Sequence, residues 1–167
     1  MKLPDTAPAQ KQKWMLAGAL VLALCAPAFA ALGDNASSVL TDQARMKGTL
    51  RQTDKQGYVL HEIAAPTGAK VREYASPSGV IFGVAWEGQF PPNFQELLGP
   101  YYQQLQNAIA QQKSAAEASG QAPRRRGPAY VETPGLVLVQ TGHMHSFHGQ
   151  AYIPQLVPTG VQPSDIR

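Results

Sequence analysis

Between Leu50 and Glu87 apolar and polar residues alternate in short runs, the two-residue period of half-buried strands. The segments YVLHEIA (58 to 64), AKVREYA (69 to 75) and GVIFGVAWE (79 to 87) are rich in β-branched and aromatic residues. Pro66-Thr67-Gly68 and Pro77-Ser78-Gly79 stand between them. Proline presets φ early in each turn and glycine takes a positive φ at its exit, so both read as hairpin connections. Alternation places Val80, Phe82, Val84 and Trp86 on one side, and sets Val71 against Lys70, Arg72 and Tyr74. One face is therefore core and the other partly wet. MKGTLRQ (46 to 52) predicts one more strand ahead of these, and SSVLTDQARM (37 to 46) a short helix or an extended arm.

After residue 92 the period changes. Residues 93 to 118 are helical in composition but interrupted by Gly99-Pro100, which ends one helix and starts another with proline in its first turn. In the second piece Tyr101, Leu105, Ala108, Ile109 and Gln112 form a stripe fit to lie on a sheet. Residues 119 to 128, SGQAPRRRGP, read as a flexible linker loop with exposed arginines. Strands follow at 129 to 133, 135 to 142 and 144 to 153. Prolines 154, 158 and 163 then leave an extended tail, residues 154 to 167, along the surface. Strands, helix and strands again predict an α+β fold: a single antiparallel β-meander sheet with one broken helix packed across it.

The first thirty residues belong to none of this. Lys2, Lys11 and Lys13 precede an uncharged run from Trp14 to Leu32 whose strongly apolar part stops at Pro27. Small residues follow, so residues 1 to 30 read as an export signal cut after Ala30, with Ala28, Ala30 and Ala31 around the cleavage site. The competing reading is a retained anchor, since the run approaches the roughly 20 residues that span a bilayer. Only through that segment, uncleaved, would the chain touch a membrane. Lipidation at Cys25 would need a small residue before it, and Leu24 stands there.

Export changes the charge. Losing residues 1 to 30 removes three of the 14 lysines and arginines and one of the 11 acids, so a net charge of +3 becomes +1. Arg124, Arg125 and Arg126 then outweigh a slightly acidic remainder, and no basic face for nucleic acid is implied. Cys25, the single cysteine, leaves with the signal. Residues 31 to 167 must be held by one core without disulfides, and thiol chemistry is excluded.

Three of the four histidines, His143, His145 and His148, fall within six positions. On one continuous strand His143 and His145 share a face and His148 takes the other, unless a bulge or turn at Gly149 redirects the chain. A divalent transition metal would need a further ligand, with His61, Glu62 and Glu132 as candidates. The alternative is a strand whose imidazoles hydrogen-bond at the surface while Met144 and Phe147 fill the core.

The chain carries no G-x-S-x-G elbow, no H-E-x-x-H, no phosphate-cradling glycine loop and no dinucleotide fingerprint. Ser146 and its flanking histidines would point to opposite faces of a strand. Glu62 and Glu73 are candidates for a carboxylate pair across the first hairpin, and either could meet His61 in the cleft of a hydrolase acting on envelope polymers. No residue is assigned a catalytic role, and no cofactor is required.

The strings ALGDNASSVLTDQARMKGTLR, YVLHEIAAPTGAKVREYASPSGVIFGVAWEG, PNFQELLGPYY and GHMHSFHGQAYIPQLVPTGV resemble a family of small exported proteobacterial proteins, domain of unknown function 2844. The likeness runs from about Ala31 to Arg167. It implies a single-domain bacterial envelope protein and supplies no activity, cofactor or catalytic residue. The residues together suggest a periplasmic, non-catalytic binding or assembly module for an envelope protein or ligand, with Tyr74, Trp86, Phe90, Tyr101, Tyr102 and Tyr152 as a candidate contact surface. A metal-binding protein using His143, His145 and His148 is the alternative, and an envelope hydrolase the second.

Overall fold

The computed structural model describes residues 32–120 and 129–167. The signal and its cleavage residues Ala28, Ala30 and Ala31, Cys25 and the run Arg124 to Arg126 lie outside them. Seven strands form one antiparallel sheet: β1 (Thr49–Lys55), β2 (Tyr58–Ala64), β3 (Lys70–Ala75), β4 (Ile81–Gly88), β5 (Ala129–Thr133), β6 (Leu136–His143) and β7 (Ser146–Tyr152). Their order is β1-β2-β3-β4-β7-β6-β5. The α+β class and the antiparallel sheet are as the sequence implies, but the sheet is not a single meander. It is two, and the second runs back from the far edge so that β7 lies beside β4. The helices between β4 and β5 make that return across one face of the sheet.

Three helices cover this helical face: α1 (Val39–Met46), α2 (Phe94–Leu98) and α3 (Tyr102–Ala118). Asn35 opens a 3-10 turn before α1, its side-chain oxygen accepting from the Ser37 amide at 2.9 Å. Asn93 opens α2 in the same way, through the Gln95 amide at 3.1 Å. Gly99-Pro100 separates α2 from α3 by a 3-10 turn, which is the predicted break. Of the predicted stripe Leu105 is buried, Tyr101 and Ala108 are half-buried, and Gln112 donates to the Tyr130 carbonyl on β5 at 3.0 Å. Ile109 faces solvent. The larger core joins Val39, Leu97, Leu98 and Leu105 to Ile63, Val84, Trp86, Leu138 and Ala151 of the sheet. Among the described residues no helix is long and apolar enough to cross a membrane.

The strand pattern departs from simple alternation at one place. Tyr74 pairs with Gly83 but Ala75 pairs with Ile81, so Phe82 is an extra residue and β4 bulges there. The bulge sends Ile81, Val84 and Trp86 to the helical face and Phe82 to the other, splitting the predicted set Val80, Phe82, Val84 and Trp86. Phe82 joins a second core with Tyr74, Ala85, Val161 and Ile166.

Val161 and Ile166 come from the proline-rich tail, which is therefore not a merely extended surface segment. Two 3-10 turns, Pro154–Leu156 and Pro163–Asp165, fold it onto the sheet's second face. A Cβ on Gly83 would stand 3.0 Å from Ile166, so the missing side chain makes the seat for that isoleucine. Tyr74 closes the arrangement, its hydroxyl donating to the Arg167 carbonyl at 2.8 Å and accepting from the Arg167 amide at 2.9 Å. Both faces of the sheet are thus covered, one by helices and one by the tail. Of the linker assigned to residues 119 to 128, Ser119 caps α3 and Gly120 follows with φ +67°, while 121–128 lie outside the described residues.

Candidate functional site

One end of the sheet is left open by both coverings. There β3 and β4 present the cross-strand partners Val71 and Trp86, α1 supplies Asp42, Arg45 and Met46, and α2 supplies Glu96 and Leu97. The turn after β2 and the loop Gln89 to Asn93 form the two lips of a groove of about 460 Å³. Its lining is mainly carbon, and Phe90, at 73 % exposure, stands on its loop with Pro91 and Pro92 behind it. Trp86 is held from two sides. Phe94 packs edge-on at 5.4 Å between ring centres, and the indole lies against Gly149 of β7, where a Cβ would come within 2.5 Å of the ring. The indole N–H is buried with no hydrogen-bond partner among the described residues.

Thr67, Lys70, Glu87 and Gln89 line this groove and also a more polar hollow beside it, of about 380 Å³, that reaches His145, Ser146, Phe147 and His148. Lys70 binds Glu87 at 2.8 Å, and Arg72 spans Glu62 at 2.8 Å and Glu87 at 3.5 Å. The hydrogen bond from Lys70, reinforced by the two positive charges, holds the Glu87 carboxyl below its ordinary range. An apolar groove with a charged shoulder is thus continuous across the end of the sheet.

The histidines do not lie on one strand. Met144 and His145 form the turn between β6 and β7, with His145 at φ +66° and Met144 81 % exposed. Met144 is thus at the hairpin tip, not in the core. The reversal pairs Thr141 with His148 and His143 with Ser146, so His143 and His148 share a face as diagonal neighbours and His145 sits at the tip. His148 Nε2 is 2.5 Å from Thr141 Oγ1, and His143 Nδ1 is 3.1 Å from the Met144 carbonyl. Glu87 is the cross-strand partner of His148. None of the proposed further ligands joins them: His61 and Glu62 are on β2, and Glu132 accepts from the Tyr130 hydroxyl on β5. Among the described residues no three His, Cys, Asp or Glu side chains gather in a way that could hold a metal.

The register also sorts the candidate carboxylates. Glu62 pairs with Arg72 and His61 with Glu73, so Glu62 and Glu73 point to opposite faces and form no pair. His61 and Glu73 do meet, under α1 on the helical face. Glu73 is 1 % exposed, and neither of its carboxyl oxygens has a donor among the described residues. The group that reaches it is the Asp42 carboxyl of α1, also buried. Two carboxylates cannot bond each other, whereas a carboxylic acid and a carboxylate can, so the pair is satisfied only with a proton between them. Burial first, then the charge and hydrogen bond of Asp42, push Glu73 up to about 8. Burial pushes Asp42 to about 6 against the pull of Arg45, which binds it at 3.3 Å and Glu96 at 3.4 Å. Burial also lowers His61, whose Nδ1 has no partner among the described residues. Of the three, Asp42 alone lines the groove.

The pattern did contain a clue to this cluster, because alternation from Val71 puts Glu73 on the core face. The candidate aromatic surface is dispersed: Tyr74 and Trp86 are buried on opposite faces, Tyr101, Tyr102 and Tyr152 are half-buried, and Phe90 is free.

The family described as Protein of unknown function (DUF2844) matches residues 28–166, most of the chain and all of the sheet. The chain belongs to the DUF2844 family. No curated protein and no solved structure matches it. Within this DUF2844 chain, then, the groove and its neighbours must be judged on their own chemistry.

Proposed function

We propose that the chain is an exported, non-catalytic binding module of the bacterial envelope, and that the groove takes the apolar part of an amphiphilic ligand while the adjoining hollow takes its polar head. The observation that carries this reading is the continuity of the two hollows through Thr67, Lys70, Glu87 and Gln89. A volume of this size, walled by Val71, Met46, Leu97, Trp86 and two prolines, suits one acyl chain or bulky apolar group. The Lys70–Glu87 pair offers both signs of charge at the exit. The leader-like residues 1 to 30 support delivery to the periplasm, where such ligands are at hand.

The chain has two tryptophans, Trp14 and Trp86, so a Trp14→Phe variant of the full chain makes Trp86 the sole indole reporter. Titration with lysophosphatidylcholine below its micelle concentration is expected to give a saturable change in Trp86 emission, and Met46→Arg on the groove wall is expected to weaken it at least tenfold. An emission that ignores the lipid, or a response that Met46→Arg leaves intact, would refute the assignment.

A further inference from the structure

The buried acid pair has no part in the ligand binding proposed above, yet half of it forms part of the groove wall. Resting on the groove reading, we propose that filling the groove with an apolar ligand is coupled to proton uptake by the Asp42–Glu73 pair, so that the ligand binds more tightly in acidic than in alkaline medium.

The argument is one of solvation. Asp42 lines the groove while Glu73 behind it is sealed by β2, β4 and α1, so water in the empty groove is the solvent the pair can reach. An apolar ligand displaces that water and removes hydration from the charged form more than from the neutral one. The complex therefore takes one proton from solution, and its affinity rises wherever the free protein has lost that proton. The other charged groups bear on this in known directions. Arg45 of α1 favours an ionised Asp42 and Glu96 of α2 disfavours it, with burial outweighing Arg45. His61 of β2 faces Glu73, and its own burial lowers its pKa against the pull of Asp54 from β1. From β4 the pair meets Val84, the cross-strand partner of Glu73, and no charge. Lys70 and Glu87 close on each other at the far wall.

The test measures the lysophosphatidylcholine Kd of the full chain carrying Trp14→Phe at pH 5.5, 7.0 and 8.5, through Trp86 emission. The head of this probe does not titrate in that range. A Kd rising tenfold or more from pH 5.5 to 8.5 is expected, since one linked proton gives at most tenfold per pH unit. Glu73→Gln is expected to move the rise to lower pH, and the double variant Asp42→Asn/Glu73→Gln to abolish it whatever its absolute affinity. Calorimetry of the same binding in two buffers of different ionisation enthalpy should show proton uptake without any substitution in the pair. A Kd independent of pH, with no uptake, overturns the coupling and leaves the groove reading standing. An unchanged slope in both variants places the titrating group elsewhere and overturns it equally. Absence of saturable binding at every pH overturns both readings together.

Discussion

Glu73→Gln isolates one buried proton, and its effect on stability can be worked from the structure. In the unfolded chain this carboxyl ionises near 4.5, while in the fold burial and Asp42 push it up to about 8. A carboxyl raised in the fold stabilises the native state least at high pH: its contribution is intact below the unfolded value and is lost as pH climbs to the folded one. Between pH 6.5 and 8 the unfolded chain has released the proton and the folded chain still holds it. Each pH unit then costs about 1.4 kcal/mol, or roughly 2 kcal/mol over the window. The other shifted groups act mainly below the window. Asp42, pushed to about 6, has mostly titrated below it. His61, lowered by burial, removes stability only as pH falls through its unfolded value of 6.5. Urea unfolding followed by Trp86 emission, in a Trp14→Phe background, should show the midpoint of the chain with Glu73 intact falling by about 1 M from pH 6.5 to 8, given slopes of ~1–3 kcal/mol per molar for small domains. Glutamine has nearly the same shape and no proton to lose, so the Glu73→Gln midpoint should stay flat and overtake the wild type. A wild-type midpoint that holds or rises across the window, or a variant that falls as steeply, would refute the buried-proton argument.

Three other outcomes follow from packing and ligand geometry. Ile166→Ala removes a fully buried side chain from the seat on Gly83 and should cost about 2–5 kcal/mol in urea unfolding; a loss below about 0.5 kcal/mol would mean the tail is not core. Gly149→Ala puts a Cβ 2.5 Å from both the Trp86 ring and the Val139 carbonyl, so it should cost about 1–3 kcal/mol and shift Trp86 emission, whereas an unaltered spectrum would contradict the packing of the groove floor. Added zinc should leave the Tm of the chain unchanged, because His143, His145 and His148 find no further ligand among the described residues; a rise of several degrees that His148→Ala removes would show a site.

What was legible in the sequence was what is local. The Pro-x-Gly turns after β2 and β3, the helix break at Gly99-Pro100 and the strand periods are decided by residues within a few positions of one another, and the structure keeps them. The β4–β7 pairing joins segments about sixty residues apart, and no local preference marks it, so local pattern alone implies a single meander. The bulge at Phe82 is invisible for a related reason. Tyr74, Phe82 and Ile166 choose it together, since a regular strand would have sent Phe82 into the helical core and taken it from the core that the tail builds with Tyr74. The turn among the histidines is also unmarked, because neither Met144 nor His145 advertises a hairpin, and His145 takes its positive φ without glycine or asparagine. The acid pair shows the converse. Alternation from Val71 already sends Glu73 into the core, and a carboxyl sent there must find a donor or keep a proton. That demand is written in β3, but the partner that answers it is a helix residue, Asp42, thirty-one positions earlier, whose position follows only once α1 lies against β2. Asp42 also lines the groove, so the contact that satisfies a core residue is also the one that brings a titratable group to the open end of the sheet.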